Sequence, residues 1–259
     1  MAAAMWRIGT FRSVSVPLIV LALSLALVTG CRRFRSHRRA NPREQFANAC
    51  YKMAKPARLS LHADPIPQEI ETSFFPEGSL LRTREQLDCW TPPARFPQDW
   101  QSEAHRLDDI ERESLNGLMS GMREPSLARS RPEIEKAFRL TVLESFRLPV
   151  AVRAVKTAAG AFLVVRGEGT NDLVVHELGV GQWRCLDSLV EDARFWQRRA
   201  IEGWIVPDGS QWVLEGAAGS KYHVVSRFSS VNPDSADKLM RLCWYLMRLA
   251  GARRHTAHE

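Results

Sequence analysis

The chain contains no C-x-x-C pair, no P-loop, no G-x-S-x-G elbow, no internal repeat and no low-complexity tract. Each absence removes a class. Without closely spaced cysteine pairs, thioredoxin-like redox chemistry and zinc ribbons drop out. Without a phosphate-cradling loop or a strained nucleophile turn, the P-loop nucleotide hydrolases and the α/β-hydrolases go as well. The missing repeat removes solenoids and propellers. His176 and Glu177 open an H-E-x-x-H pattern, but position 180 is Val180, so the second imidazole of a metal pair is lacking. Gly167, Glu168 and Gly169 begin a dinucleotide fingerprint that has no third glycine. The sequence therefore predicts no metal and no cofactor.

Acidic residues are also missing from one end. None occurs before Glu44. Of 36 Lys and Arg, two (Arg7, Arg12) precede an apolar run and five (Arg32, Arg33, Arg35, Arg38, Arg39) follow it, which leaves 29 against 29 Asp and Glu from Ala40 onward. The formal charge of +7 thus belongs to the N-terminal segment, and the remainder is neutral. A body that neutralises a phosphate backbone needs a net basic face, so nucleic-acid binding is not expected. With 45% apolar and 25% charged residues in 259, the composition is that of a globular protein and excludes collagens and multi-span membrane proteins.

Residues 1–31 read as a targeting segment, with Arg7 and Arg12 as a positive start and Val14 to Thr29 as an uncharged, mostly apolar stretch. Its length lies between a signal-peptide core and the roughly 20 residues of a spanning helix. At its end Val28, Thr29, Gly30 and Cys31 resemble the lipobox of bacterial prolipoproteins, in which small residues precede a cysteine. That resemblance implies acylation of Cys31, which becomes the mature N-terminus on the periplasmic side. The five arginines behind Cys31 favour the opposite topology, a single anchor with the body in the cytoplasm. The position of Cys31 outweighs them, because a stop-transfer helix has no need of a small-small-Cys step. Either way the N-terminal segment puts the protein on a membrane. With Cys31 lipidated, Cys50, Cys89, Cys185 and Cys243 remain, with three possible pairings in an oxidising compartment. Cys243, in an apolar helical stretch, reads as a small buried hydrophobe.

The organisation expected behind this leader is a basic tether over 32–43, a single α+β domain over 44–251 and a tail over 252–259. Within the domain, 44–132 is a helical and Pro-rich wrapping part, and 133–251 is a sheet with a C-terminal helix. A short helix is predicted over 44–55. Six prolines between 57 and 100 exclude long regular elements there, while Phe74, Phe75, Trp90, Phe96 and Trp100 require that segment to pack on something. A helix over 102–122 places Leu107, Ile110, Ser114, Leu118 and Met122 on one stripe. Runs at 138–146, 150–155, 162–165 and 173–178 predict an antiparallel β-meander, although 133–146 also suits a helix. A helix over 187–198 follows, capped by Asp187. Strands at 201–206, 211–215 and 222–228 precede a final helix over 235–250, capped by Asp234 and buried through Leu239, Leu242, Cys243, Leu246 and Leu249.

The polar cluster that invites a chemical reading lies on the last hairpin. If Glu215 pairs across from His223, then Gln211 faces Arg227 and all four share a side. In the catalytic version Glu215 orients His223 as a general base and Arg227 holds an anion. In the structural version the same residues form a salt-bridge ladder on a solvated face opposite Trp212 and Leu214, and this is the favoured one. A second set, Trp183, Trp196, Trp204, Trp212 and Trp244, suits either a ligand groove or, as their strand and helix positions favour, the core. The stretch Asp208 to Gly216 followed by Tyr222, His223, Val224, Val225 and Arg227 is similar to a domain of uncharacterised bacterial proteins, which implies no activity. The expectation is an envelope accessory module that binds a protein or an envelope component. The competing expectations are an enzyme built on Glu215, His223 and Arg227, and a cytoplasm-facing anchored domain.

Overall fold

In a computed structural model of the chain the described residues are 41–52, 54–59, 63–66, 73–88, 100–145, 147–167, 173–202, 209–229 and 237–251. The leader with Cys31, the tether up to residue 40, Cys89, Trp90, Phe96, Trp204, the Asp234 cap and the tail lie outside them. Residues 1–41 and 42–259 form separate units, and the fold described belongs to the second.

The elements are α1 (Pro42–Lys52), β1 (Arg58–Leu59), α2 (Arg84–Asp88), α3 (Trp100–Gly121), β2 (Ile134–Glu144), β3 (Val150–Thr157), β4 (Gly160–Gly167) and β5 (Leu173–Leu178). They continue with α4 (Val180–Asp192), a 3-10 turn (Phe195–Gln197), β6 (Ile201–Glu202), β7 (Ser210–Ala218), β8 (Lys221–Ser229) and α5 (Lys238–Leu249). The strands make one sheet in the order β1-β5-β4-β3-β2-β7-β8-β6, antiparallel except for the β6/β8 edge pair. The fold is α+β. The expected meander is present as β2 to β5, and the β7/β8 hairpin adds to the free side of β2. The segment that also suited a helix is the central strand β2, because Phe138, Leu140 and Val142 alternate with Arg139 and Thr141 at the strand period.

Both faces of this sheet are covered. On the first face Phe138, Leu140, Val152, Ala154, Leu163, Trp212, Leu214 and Val225 pack under α1, α4 and α5. On the second, Ala151, Val213 and Val224 pack under Leu115, Met119 and Met122 and under Phe74, Phe75 and Leu80 of the irregular segment. The solvated face expected for the last hairpin therefore does not exist there. The proline-rich wrap and α3 take that place, which also accounts for the aromatics in the wrap.

Helix α3 faces the sheet through Ala104, Asp108, Leu115 and Met119, whereas Ile110 is half exposed. The predicted stripe is thus rotated, because a charged residue occupies the inner face. Asp108 is fully buried and accepts hydrogen bonds from the backbone N–H of Gly78 (3.0 Å) and Leu80 (2.7 Å). One face onward, Asn116 Oδ1 accepts from the N–H of Phe74 (2.9 Å) and Phe75 (3.3 Å). A segment with no sheet partner has its backbone donors satisfied by side chains of the helix it lies against.

Helix α4 starts seven residues before the predicted position, after Gly179, whose N–H donates to Gln182 Oε1 at 3.0 Å. Leu186, Leu189, Val190 and Ala193 are buried as expected, but Asp187 is no cap and instead pairs with Lys136. Helix α5 buries all five predicted residues, and its cap is Asp237, which accepts from the N–H of Leu239 at 2.8 Å. Cys50 of α1 is bonded to Cys185 of α4, and Cys243 is a buried free thiol, pushed up to about 12 by burial.

Candidate functional site

The hairpin register decides the fate of the predicted cluster. Ala218 pairs with Lys221, so the turn is the two residues Gly219 and Ser220, with Gly219 at φ 57°. Two residues at the tip set Glu215 opposite Val224, Gly216 opposite His223, and Trp212 opposite Arg227. The assumed pairing of Glu215 with His223 required an odd-numbered loop. Shifting the partner strand by one residue sends its side chains to the other face. Glu215 accordingly points under α3, while His223 and Arg227 point under α4 and α5, and the sheet separates them. The register therefore does not bring the three residues to one face of the hairpin.

Each enters a different environment. Glu215 is fully buried and belongs to an ionic network on the second face. Arg139 Nε donates to Glu215 Oε2 at 2.7 Å and Arg139 Nη1 to the carbonyl of Pro125 at 2.6 Å. The hydroxyl of Tyr222 donates to Glu215 Oε1 at 3.0 Å. On the neighbouring strands Arg153 Nε donates to Glu124 Oε2 at 2.9 Å, and Arg153 Nη2 to Asp64 Oδ2 at 2.6 Å. Arg166 reaches the same two carboxylates, Asp64 at 3.0 Å and Glu124 at 3.1 Å. Three guanidiniums from β2, β3 and β4 thus meet three carboxylates, and the network is internally neutral. Burial raises the Glu215 carboxyl above its ordinary range, against the pull of Arg139. Burial also disfavours charge on Asp64, yet Arg153, the Ile66 N–H and Arg166 together hold it below the usual value. Desolvation on this scale is tolerable only because nearly every charge has a close partner.

His223 lies half-buried with its ring edge-on to Phe195, centroids 5.1 Å apart. Burial lowers its pKa, partly opposed by the backbone carbonyl of Arg198, so the neutral imidazole is favoured. Arg227 pairs with Asp237, the cap of α5, and lies 3.4 Å from Glu202, which is itself held by Arg198 at 2.6 Å. Gln211 does not face Arg227. It donates to Glu111 Oε1 at 2.8 Å beneath α3, where Arg82 also binds Glu111 at 2.6 Å.

Of the predicted set, the four described tryptophans sit in or against the core: Trp183 and Trp212 are buried, Trp196 packs against the same core, and Trp212 packs on Trp244 with centroids 5.1 Å apart. His176 Nδ1 sits 3.1 Å from the carbonyl of Ala57. Among the described residues no group of three His, Cys, Asp or Glu is arranged for a metal ion. A cavity of about 20 Å³ beside Ser126, Leu127, Ala137 and Ala217 has room for little more than a water molecule.

Sequence reasoning passed over Arg139, Arg153, Arg166, Glu124 and Asp64. The available signal was an arginine set among apolar residues in three successive β runs, as in Phe138-Arg139-Leu140 and Val152-Arg153-Ala154. A charge in the middle of such a run belongs to a paired, buried site whenever both sheet faces are covered.

Comparison with protein-family models and with curated proteins finds no match to this chain.

Proposed function

We propose that the chain is an exported accessory module of the bacterial envelope, held to a membrane by its N-terminal segment, with Cys31 as the lipidated residue, and acting by binding another protein or an envelope component. The observation that carries this reading is the Cys50–Cys185 disulfide, which joins residues 135 apart in sequence. Disulfides of this structural kind form and persist in oxidising compartments and are rare in the bacterial cytoplasm. That supports the periplasmic side of the membrane over the cytoplasm-facing alternative, in agreement with the lipobox-like end of the leader. Binding is favoured over chemistry because two of the three candidate side chains are committed to structural partners on opposite faces of the sheet, Glu215 to Arg139 and Arg227 to Asp237.

The test combines topology and anchoring. A reporter active only outside the cytoplasm, fused to the C-terminus, is expected to give signal. Non-reduced peptide mapping is expected to recover Cys50 joined to Cys185. Wild-type protein should incorporate labelled fatty acid, and Cys31→Ala should abolish the label. A silent reporter together with free thiols at Cys50 and Cys185 overturns export, and labelling that survives Cys31→Ala overturns the lipid anchor.

A further inference from the structure

Two turns lie side by side at one end of the sheet. The link from α1 into β1 and the link from β5 into α4 are tied by Gln182, whose Nε2 donates to the carbonyl of Lys55 at 3.3 Å. They are also tied by His176 at the carbonyl of Ala57 and by the pairing of Arg58 with Glu177 across the strands. Leu59 and Val180 there expose 64% and 71% of their surface, and with Leu148 they are the three most exposed large apolar side chains of the described residues. Around them stand Lys52, Lys55, Arg58 and Arg184, all exposed. Among the described residues none of these four makes an ion pair. The single acid on these turns is Glu177, so the end of the molecule carries a local charge of about +3.

We infer that this end of the body docks on an anionic phospholipid surface, with the four cations at the headgroups and Leu59 and Val180 entering the interface. The inference rests on the tethered reading above and adds the face by which the body lies on its membrane. Two facts select a bilayer as the occupant. The ten residues between Cys31 and Pro42 span at most about 35 Å whatever their conformation, so the body cannot leave the surface by much more than its own size. Five of those ten residues are arginines, which need the same counter-charge. Isolated apolar side chains ringed by unpaired cations are what an interfacial surface presents, whereas a protein interface of ordinary size centres on a larger apolar patch depleted in charge.

The experiment uses the full chain with vesicles of neutral phosphatidylcholine and with vesicles that also contain phosphatidylglycerol. Flotation reads the anchor, and backbone hydrogen exchange over residues 54–59 and 180–184 reads the docking face. Exchange there is expected to slow with phosphatidylglycerol, to stay fast with phosphatidylcholine alone, and to lose its protection at high salt. Each of Lys52→Gln, Lys55→Gln, Arg58→Gln and Arg184→Gln should weaken docking about fivefold, and Leu59→Asp or Val180→Asp should remove it. Unchanged exchange at saturating phosphatidylglycerol overturns the docking face even if the chain floats, and failure to float with phosphatidylcholine alone, with protection still appearing on phosphatidylglycerol, overturns the anchor alone. Protection in native membranes that is absent from pure lipid vesicles assigns the face to a protein and overturns the inference.

Discussion

Arg139 and Glu215 show what one buried pair does to a sheet. Both are without solvent exposure, and the guanidinium nitrogens sit 2.6–2.7 Å from the carboxylate. Arg139→Met leaves Glu215 buried with Tyr222 as its remaining partner and Glu124 short of a neighbour. Denaturant unfolding should show a loss of about 3–5 kcal/mol. Arg139→Met combined with Glu215→Met removes both charges and should be milder than the single change, which a double-mutant cycle reads directly. At His223 the sign is different. The folded state resists the proton that the unfolded chain accepts near its ordinary value of about 6.5, so this residue costs stability as the pH falls through that value toward the lower folded one. Stability of wild type minus that of His223→Gln, measured from pH 8 to pH 5, should therefore decline toward acid, with a slope no steeper than one proton. A flat difference would show that burial leaves this imidazole unaffected.

At the scale of elements, Gly216 explains why β7 continues past the point where its sequence looks like a turn. An added Cβ would lie 2.6 Å from Phe195 and 3.1 Å from the ring of Phe138, so the strand needs glycine for the aromatic rings to sit against its backbone. Gly216→Ala should cost about 1–3 kcal/mol by forcing those rings aside, visible as a lowered melting temperature. The same residue marks where sequence reading stopped being sufficient. Strand period gives which residues of β7 share a face, and that much was legible, as was the buried stripe of α5 and the meander from β2 to β5. Pairing between strands depends on the number of residues at the tip, which alternation does not encode, so Glu215 and His223 were put on one side. Helix α3 was located correctly but oriented by its apolar residues, and with Asp108 on the inner face the stripe is rotated, so that Met122 is buried while Ile110 is exposed. The arginines of the ionic network left a signal as charges inside apolar runs, but their partners did not, because Glu124 and Asp64 come from a turn and from the wrap outside the strands.

At the largest scale the governing link is the disulfide, because it joins α1, the first helix of the described residues, to α4, which follows the β2 to β5 meander. Helix α1 has eleven residues and buries only Ala47 and Cys50, too little for a short helix to hold its place by packing. Arg241 and Arg248 add polar links to Asn48 and to the carbonyl of Tyr51. Cys50→Ser should lower global stability by about 2–5 kcal/mol, and hydrogen exchange should rise most in α1. Equal exchange increases throughout the domain would show that α1 is secured by its other contacts. The location of this bond also decides how the molecule meets tension. A pull on the chain ahead of Pro42 would otherwise peel α1 away one turn at a time. With Cys50 fastened to Cys185, that unwinding can run only as far as Cys50 near the end of α1, and beyond it the strain passes by a covalent route into α4 and the sheet beneath it.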